Sequence, residues 1–415
     1  MKILFAILMV ASFLSACGQP TPANNDNKIV LGNIESINSG ILHEKRKIWI
    51  YIPDSYKNNP STSQRFPVVY LLDGDAHFYS VVGMIQQLSS VNGNSICPEM
   101  IVVGIPNTDR TRDLTPTHVA ADPPFLDSNS SKNSGGGEQF TSFIEKELMP
   151  HIDSLYPTNS FKMLIGHSFG GLMVINTLMH HPKLFNAYVA IDPSMWWDDK
   201  KLLKEIETNL TSEDLSHRSL FMGIANTMET GMDTTKVQLD TTPGSRHIRS
   251  ILELSHFLTA EKKSGLRFSY KYYNDDNHGS VPLITEYDAL HFLFNFYQFY
   301  LTYKDYSNIT KDVIAKIESH YDTVSANMGF KVYPAENFIN QLAYQASGSN
   351  HHSEAEYLAV LNTTNYPTSA NAFDTLGDIY NAEDKKAKAI ESYKKALSIA
   401  DLPDTRKKLD KLQGK

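Results

Sequence analysis

A serine at the junction of a strand and a helix is the feature that most restricts the fold of this chain. Ser168 lies in the segment GHSFGG (166–171), which fits the pattern G-x-S-x-G. The apolar, β-prone run KMLI (162–165) comes directly before it, and the helix-prone run GLMVINTLMHH (171–181) overlaps its end. Glycines are needed beside the serine because side chains would clash in a sharp strand-to-helix turn. The pattern therefore predicts a strand, a tight turn that exposes the Ser168 hydroxyl, and a covering helix.

The same alternation of strands and helices continues between residues 28 and 305. Short apolar runs rich in β-prone residues are typical of strands that are buried on both faces. The predicted strands are 48–53, 67–73, 100–105, 162–165, 187–191, 220–225 and 267–272, and the predicted helices are 138–155, 171–181, 245–263 and 283–303. This alternation predicts an α/β fold, with a mostly parallel sheet and helices on both of its faces.

The N-terminus predicts export and lipid attachment. Lys2 precedes an apolar run at residues 3–14, and the sequence LSAC (14–17) follows. The apolar run is too short to span a bilayer, so residues 1–16 are predicted to be a signal peptide. The segment resembles the bacterial lipoprotein box, which implies acylation of Cys17, a tether over 17–27, and a location at the outer membrane because Gly18 rather than aspartate follows. An ordinary signal peptide that happens to contain a cysteine is the alternative.

The C-terminal part differs in kind and predicts a small all-α region. Phe373, Leu376, Gly377 and Tyr380 have the spacing of a tetratricopeptide repeat, and a degenerate copy lies 34 residues earlier. We expect a helical linker over 306–334 and two repeats with a closing helix over 335–415. Such repeats suggest a protein partner, and an unrelated helical tail is the alternative.

The Ser168 hydroxyl needs an adjacent base to become a nucleophile at neutral pH. His278 lies in DDNHGS (275–280), just after the last predicted strand, where the histidine of an α/β-hydrolase follows serine and acid in the chain order. The acid should follow the predicted strand 220–225, where Glu229 is favoured and Asp233 is the alternative. A Ser–His dyad with Asn226 orienting the ring is a further alternative.

Other residues at the same predicted edge are candidates for binding. Two backbone N–H groups should stabilise the oxyanion, one from Phe169 and one from Asp75 or Ala76 in the loop after the strand PVVYLLD. An ordinary β-turn is the alternative for that loop. The adjacent aromatic residues Trp196 and Trp197 could stack on a substrate ring. The basic residues Arg110 and Arg112 could pair with an anionic group of the substrate. For these four side chains, core packing or simple surface exposure is the alternative.

Four segments resemble the putative esterase (esterase D-like) family of α/β-hydrolases: YLLDGDAHF (70–78), GHSFGG (166–171), DPSMWW (192–197) and DDNHGS (275–280). That family includes S-formylglutathione hydrolases, ferric-siderophore esterases, feruloyl esterases and mycolyltransferases. The resemblance implies hydrolysis of carboxylic esters with Ser168 and His278 in the nucleophile and base positions. The acid loop departs from the family pattern, because Asn226 stands where a glutamate would be expected.

The charge and the ligand spacing exclude other classes of function. The net charge is −8 and no basic block is present, so nucleic acid is not an expected partner. No cluster of histidine and acidic residues has the spacing of metal ligands, and no cofactor is expected. The sequence thus predicts a serine hydrolase that acts on a small ester through an acyl-enzyme. An acyltransferase with the same intermediate, or a non-catalytic scaffold that binds a partner through its repeats, are the alternatives.

Overall fold

The computed structural model describes residues 27–58, 64–121, 127–129 and 131–414. The predicted signal peptide, the predicted lipidation site Cys17 and all but the last residue of the predicted tether lie outside the described residues.

One mixed sheet organises the first part of the chain. Within the described residues it has eight strands: β1 (Asn33–Ser39), β2 (Glu44–Tyr51), β3 (Phe66–Leu72), β4 (Ile101–Ile105), β5 (Thr158–His167), β6 (Ala187–Ile191), β7 (Ser219–Ala225) and β8 (Arg267–Tyr273). The strand order is β1-β2-β4-β3-β5-β6-β7-β8. β1 and β2 are antiparallel to their neighbours, and β4, β3 and β5 to β8 are parallel.

Helices cover both faces of this sheet and then continue alone to the C-terminus. The helices are α1 (Asp54–Asn58), α2 (Gly74–Ser89), α3 (Arg110–Asp113), α4 (Gly137–Phe143), α5 (Met149–Leu155), α6 (Phe169–His180), α7 (Trp197–Asn209), α8 (Lys236–Leu239), α9 (Arg246–Ala260), α10 (Val281–Leu293), α11 (Tyr303–Ser307), α12 (Lys311–Met328), α13 (Glu336–Gly348), α14 (His352–Asn365), α15 (Ala370–Ala382), α16 (Lys386–Ile399) and α17 (Pro403–Gln413). A π-helical turn, Ile144–Leu148, joins α4 to α5.

The burial of the strands explains why the sheet is covered on both sides. Every residue of β3, β4 and β6 is buried, as the continuous apolar runs predict. The two faces of the sheet contribute to two separate apolar cores, one packed against α6, α7 and α9 and the other against α2 and α10. The predicted α/β fold with a mostly parallel sheet is therefore confirmed.

Six of the described elements are absent from the sequence-based prediction: β1, α2, α7 and the short helices α1, α3 and α8. β1 (NIESINS) is an edge strand with mostly polar residues and only its last residue buried, so it has little apolar signal. α2 begins at Gly74, within the segment predicted as a loop. Gly74 is needed there because an added Cβ would lie 2.5 Å from the Ile105 N atom of β4.

The C-terminal helices form a separate all-α packing unit. α13 and α15 begin 34 residues apart, at 336 and 370, and α14 and α16 likewise begin at 352 and 386. Small residues such as Ala355 and Ala389 are fully buried between these helices, and a Cβ at Gly377 would collide with the ring of Tyr393. The spacing agrees with a 34-residue unit, while the tetratricopeptide identity stays a prediction.

α12 connects the two parts of the chain. Its first half contributes Val313 and Ile317 to the core of the C-terminal helices, and its last turns contribute Val324 and Met328 to the core beside α2 and α10. None of the helices in the described ranges combines the length and the apolar character needed to cross a membrane.

Candidate active site

Ser168 lies on a sharp turn between β5 and α6. Its backbone has φ 60° and ψ −113°, a region that residues other than glycine seldom occupy. Its N–H donates to the carbonyl of Ile191 at 2.9 Å, and its own carbonyl accepts from Leu172 N–H at 2.9 Å. A Cβ atom at Gly166 would collide with the carbonyl oxygen of Gly170, so glycine is required before the turn. A strained residue fixed in this way is the arrangement of a nucleophile between a strand and a helix.

The Ser168 hydroxyl contacts the loop that follows β6. Its Oγ lies 3.3 Å from Oγ of the buried Ser194, whose N–H donates to the Ser168 carbonyl at 3.1 Å. Among the described residues, no hydrogen bond joins Ser168 Oγ to His278. Catalytic hydrogen bonds often form only when substrate is bound, so the placement of the neighbouring groups decides what the hydroxyl can do.

His278 lies at the same edge of the sheet as Ser168, in the loop between β8 and α10. Its ring centroid is 4.5 Å from that of His167, the residue directly before Ser168. Its Nδ1 is 2.6 Å from Oδ2 of Asp192. Because an ionised carboxylate only accepts hydrogen bonds, Nδ1 carries the proton and Nε2 is left as the accepting nitrogen. A histidine in this tautomer can serve as a general base.

Asp192 is the carboxylate that the structure brings to His278. It directly follows β6, is completely buried, and has φ 41°, which short polar residues tolerate better than others. Its backbone N–H donates to Gly223 O at 2.8 Å, and its Oδ1 accepts from Ala225 N–H at 3.0 Å. Its Oδ2 accepts from His278 and also from Nε2 of His247 at 2.9 Å.

The residues predicted as the acid lie elsewhere. Glu229 and Asp233 are both exposed, and Asp233 Oδ1 accepts backbone N–H groups of Thr235 and Lys236 at the start of α8. The Asn226 amide donates to the carbonyl of Asn274, so it does not orient the histidine ring. Asp192 therefore replaces all three as the partner of His278. The signal that could have found it is its position directly after a buried strand beside β5.

Burial and the neighbouring imidazoles act in opposite directions on Asp192. Burial alone would raise the pKa of its carboxyl group, but the charge and hydrogen bonds of His247, with those of His278, hold that pKa well below its usual range. Asp192 is therefore ionised at neutral pH. Burial, with the nearby His278 and His77, lowers the pKa of His167 to about 4, so His167 is neutral beneath the His278 ring.

The residues predicted as oxyanion donors lie at two helix N-termini. Phe169 is the first residue of α6, and Asp75 is the second residue of α2, where helical N–H groups lack acceptors within their own helix. The N–H of Ala76 donates to the carbonyl of Asp73 at 2.9 Å. Of the two residues predicted after β3, Asp75 is thus the better candidate, because the N–H of Ala76 already donates a hydrogen bond within the protein.

The two candidate arginines are bound within the protein. Arg110 makes a bidentate ion pair with the buried Asp73, at 2.7 and 2.9 Å, and also donates to the carbonyl of His167. Arg112 pairs with Glu44 and with Asp113. Their charges are balanced by these carboxylates. The two arginines therefore stabilise the local structure and do not form a free anion-binding surface.

The two candidate tryptophans are buried. Trp196 is 5% exposed and Trp197 is 2% exposed, and both belong to the apolar core. The Trp197 Nε1–H donates to Thr117, and the Arg246 guanidinium lies 5.2 Å from the Trp196 ring centroid. The predicted open stacking surface is incompatible with this burial, because both side chains turn inward from the sheet edge.

Asp192, His247 and His278 are the group of side chains whose positions would suit a metal ion among the described residues. Their contacts of 2.6 and 2.9 Å are hydrogen-bond distances between nitrogen and oxygen. A metal ion bound about 2 Å from each ligand would require these atoms to separate. The arrangement is accounted for by hydrogen bonding alone.

A mostly parallel sheet with a strand–turn–helix serine at its carboxyl edge defines an α/β-hydrolase. Residues 39–251, just over half of the 415-residue chain, match the model of the family described as putative esterase. The chain belongs to this family.

Three similar proteins have informative names. A crystal structure of an IroE-like serine hydrolase from Shewanella oneidensis is 32% identical with a TM-score of 0.66, and the match covers 80% of this chain and 99% of that one. The ferri-bacillibactin esterase BesA of Bacillus subtilis is 28% identical over 265 residues, 60% of this chain and 86% of its own length. The siderophore enterobactin esterase of Emericella nidulans is 33% identical over 148 residues, 33% of this chain and only 49% of its own length. The chain thus spans about half the length of the Emericella relative.

Proposed function

We propose that this protein hydrolyses carboxylic esters through an acyl-enzyme, with Ser168 as nucleophile, His278 as general base and Asp192 as the acid. The observation that carries the proposal is the pair formed by His278 Nδ1 and the buried Asp192 carboxylate, 2.6 Å apart, beside the strained turn of Ser168. The family and the names of the relatives support ester hydrolysis.

Acylation begins when His278 Nε2 takes the proton of the Ser168 hydroxyl as its oxygen attacks the ester carbonyl carbon. The imidazolium formed lies against the ionised Asp192, which stabilises it and keeps the ring in the reactive tautomer. Collapse of the tetrahedral intermediate breaks the bond to the alcohol oxygen. His278 returns its proton to that oxygen, and the alcohol leaves.

Deacylation repeats these steps with water. His278 takes a proton from water, whose oxygen attacks the acyl carbon, and the bond to Ser168 breaks as the proton returns to Ser168 Oγ. In both halves the carbonyl oxygen becomes negative, and the N–H groups of Phe169 and Asp75 are the proposed donors that stabilise it. The positive end of α6 adds to this stabilisation.

We assign the substrate to the class of siderophore esters. The support is that relatives are named esterases of enterobactin, triacetylfusarinine C and ferri-bacillibactin. Hydrolysis of a ferric catecholate trilactone, followed by separation of the linear products, tests this against p-nitrophenyl and feruloyl esters of equal concentration. Faster turnover of the feruloyl esters would contradict the assignment. An added alcohol acceptor that becomes acylated would indicate acyl transfer in place of hydrolysis.

Substitution of Ser168 tests the chemistry itself. Ser168→Ala removes the nucleophile, so kcat for p-nitrophenyl acetate should fall by at least about 1,000-fold. A fluorophosphonate should label the unmodified protein and not this variant. Ser154→Ala, which removes an exposed hydroxyl on α5, is the matched control and should keep full activity. Unchanged turnover in Ser168→Ala would eliminate the proposal, whereas an absence of turnover in the unmodified protein would favour the scaffold alternative.

We also propose that the protein is exported and held at the outer membrane by a lipid on Cys17, with the C-terminal repeats available to a protein partner. The proposal is supported by the sequence LSAC (14–17) after an apolar run. Globomycin, which blocks lipoprotein signal cleavage, should cause the unprocessed precursor to accumulate. Normal processing in its presence would contradict lipid attachment.

A further inference from the structure

His247 is a second imidazole that converges on the carboxylate of Asp192. It lies in the first turn of α9, is 8% exposed, and places Nε2 2.9 Å from the same Oδ2 atom that accepts from His278. The His247 and His278 rings are edge to face, with centroids 5.2 Å apart and an interplanar angle of 85°. Apolar packing of the two rings does not explain why both direct an N–H group at the same carboxylate oxygen.

We propose that His247 is a positioning residue, which keeps Asp192 ionised and turned toward His278. This inference rests on the proposed function, because it concerns the support of its acid. A completely buried carboxylate is costly unless hydrogen bonds replace its water. Here Oδ1 accepts from Ala225 N–H and Oδ2 accepts from both imidazoles. Without His247, the His278 N–H and one backbone N–H would have to hold the carboxylate.

The contact also fixes the protonation pattern of the site. Both imidazoles must present N–H groups to Oδ2, so His247 carries its proton on Nε2 and His278 carries its proton on Nδ1. When His278 takes the proton of Ser168, the His247 N–H still donates to the same Oδ2 atom, so Asp192 keeps both hydrogen bonds. His247 thereby takes a share of the carboxylate charge and moderates the attraction of Asp192 for the His278 proton.

Two further groups that can carry charge, His167 and Arg246, lie beside this cluster. The His167 ring packs against the His278 ring at a tilt of 41°, with the two ring centroids 4.5 Å apart. Arg246, the neighbour of His247 in α9, has its guanidinium over the ring of Trp196. In the described part of the chain, the His247 ring hydrogen-bonds Asp192 and packs against His278, so these are the groups whose behaviour its removal should change.

The test uses the full-length protein and four variants. His247→Leu removes the donor, His247→Gln keeps an N–H at about the reach of Nε2, and His247→Asn keeps an amide that is too short. His256→Leu, an exposed histidine on the same helix, is the control and should behave as the unmodified protein. kcat, KM and the pH profile of kcat/KM are measured with p-nitrophenyl acetate, and folding is checked by thermal unfolding.

We expect kcat to fall about 10- to 100-fold in His247→Leu and His247→Asn with little change in KM, as for other groups that orient an active-site ligand. The acid limb of the kcat/KM profile should move to higher pH, because Asp192 then attracts the His278 proton more strongly. His247→Gln should recover most of the rate. A purely structural role would not separate the two amides or move the profile.

Two results would overturn the proposal: equal kcat and pH profiles in all folded His247 variants, or equal losses in His247→Gln and His247→Asn. If His247→Leu does not fold, the comparison of the two amides still decides. Activity that survives Ser168→Ala would instead refute the proposed function. If Ser168→Ala loses activity while the His247 variants keep the kcat and pH profile of the unmodified protein, only the role of His247 would be refuted.

Discussion

Glu286 brings a carboxyl group into the interior where α10 packs against α2. Its side chain is 2% exposed, and neither carboxyl oxygen has a hydrogen-bond partner among the described residues. Ser80 is the polar neighbour, but its hydroxyl donates to the carbonyl of His77 at 2.8 Å. Burial therefore raises the pKa of Glu286 from an ordinary value of 4.5 to about 8.

The raised pKa predicts that the protein loses stability as the pH rises. Below pH 4.5 the carboxyl group is protonated in both the folded and the unfolded chain, so its ionisation has no effect on folding. Between pH 4.5 and pH 8 the unfolded chain releases the proton while the folded chain keeps it, at a cost of about 1.4 kcal/mol per pH unit. The loss reaches about 5 kcal/mol near pH 8, a large part of an ordinary folding free energy.

Glu286→Gln isolates this effect, because glutamine has nearly the same shape and does not titrate. Urea unfolding of both proteins at several pH values from 4.5 to 8.5 gives the difference in unfolding free energy. We expect that difference to be small at the acidic end and to grow to about 5 kcal/mol in favour of the variant at the basic end. Glu207→Gln, which changes an exposed carboxylate on α7, should give no such trend. A constant difference between the unmodified protein and Glu286→Gln across this range would refute the reasoning.

Two further predictions concern the active-site edge. Asp192→Asn should lower kcat about 10,000-fold, because the amide cannot accept hydrogen bonds from both imidazoles and stabilise an imidazolium. Glu229→Gln should leave kcat within about 3-fold of the unmodified protein. Esterase kinetics of the two variants would contradict the assignment of the acid if the losses were reversed. Trp197→Phe should lower the unfolding free energy by about 1 to 3 kcal/mol with KM nearly unchanged, since the indole is a buried core group with one N–H donor. A large rise in KM at unchanged stability would restore its predicted contact with substrate.

The parts of the site that depend on local chain geometry could be predicted from the sequence. Gly166 and Ser168 belong to one turn whose steric demands are visible in a few residues. The main strands could also be located, because continuous apolar runs indicate burial on both faces. β1 could not, because an edge strand that buries one residue in seven leaves almost no pattern.

The direction in which these side chains point could not be predicted from the sequence. The sequence predicts Trp196 and Trp197 near the carboxyl edge of the sheet, but whether a residue there faces solvent or the core depends on the turn that carries it. The sequence likewise predicts Arg110 near the substrate, and its ion pair with Asp73 joins two residues that lie 37 positions apart in the chain. Such pairings are set by the tertiary fold.

The position of the acid shows how the fold selects among carboxylates at one edge. β6 lies between β5 and β7, so a residue directly after β6 is next to the nucleophile turn and is tied to the end of β7 through Gly223 and Ala225. Asp192 is completely buried there, whereas Glu229 and Asp233 follow β7 in an exposed loop. Water screens a charge in that loop, so a carboxylate there would stabilise an imidazolium only weakly. A buried carboxylate acts on His278 through a low-dielectric interior, but it must be held ionised by several donors, and this requirement is the physical reason for a second imidazole beside it.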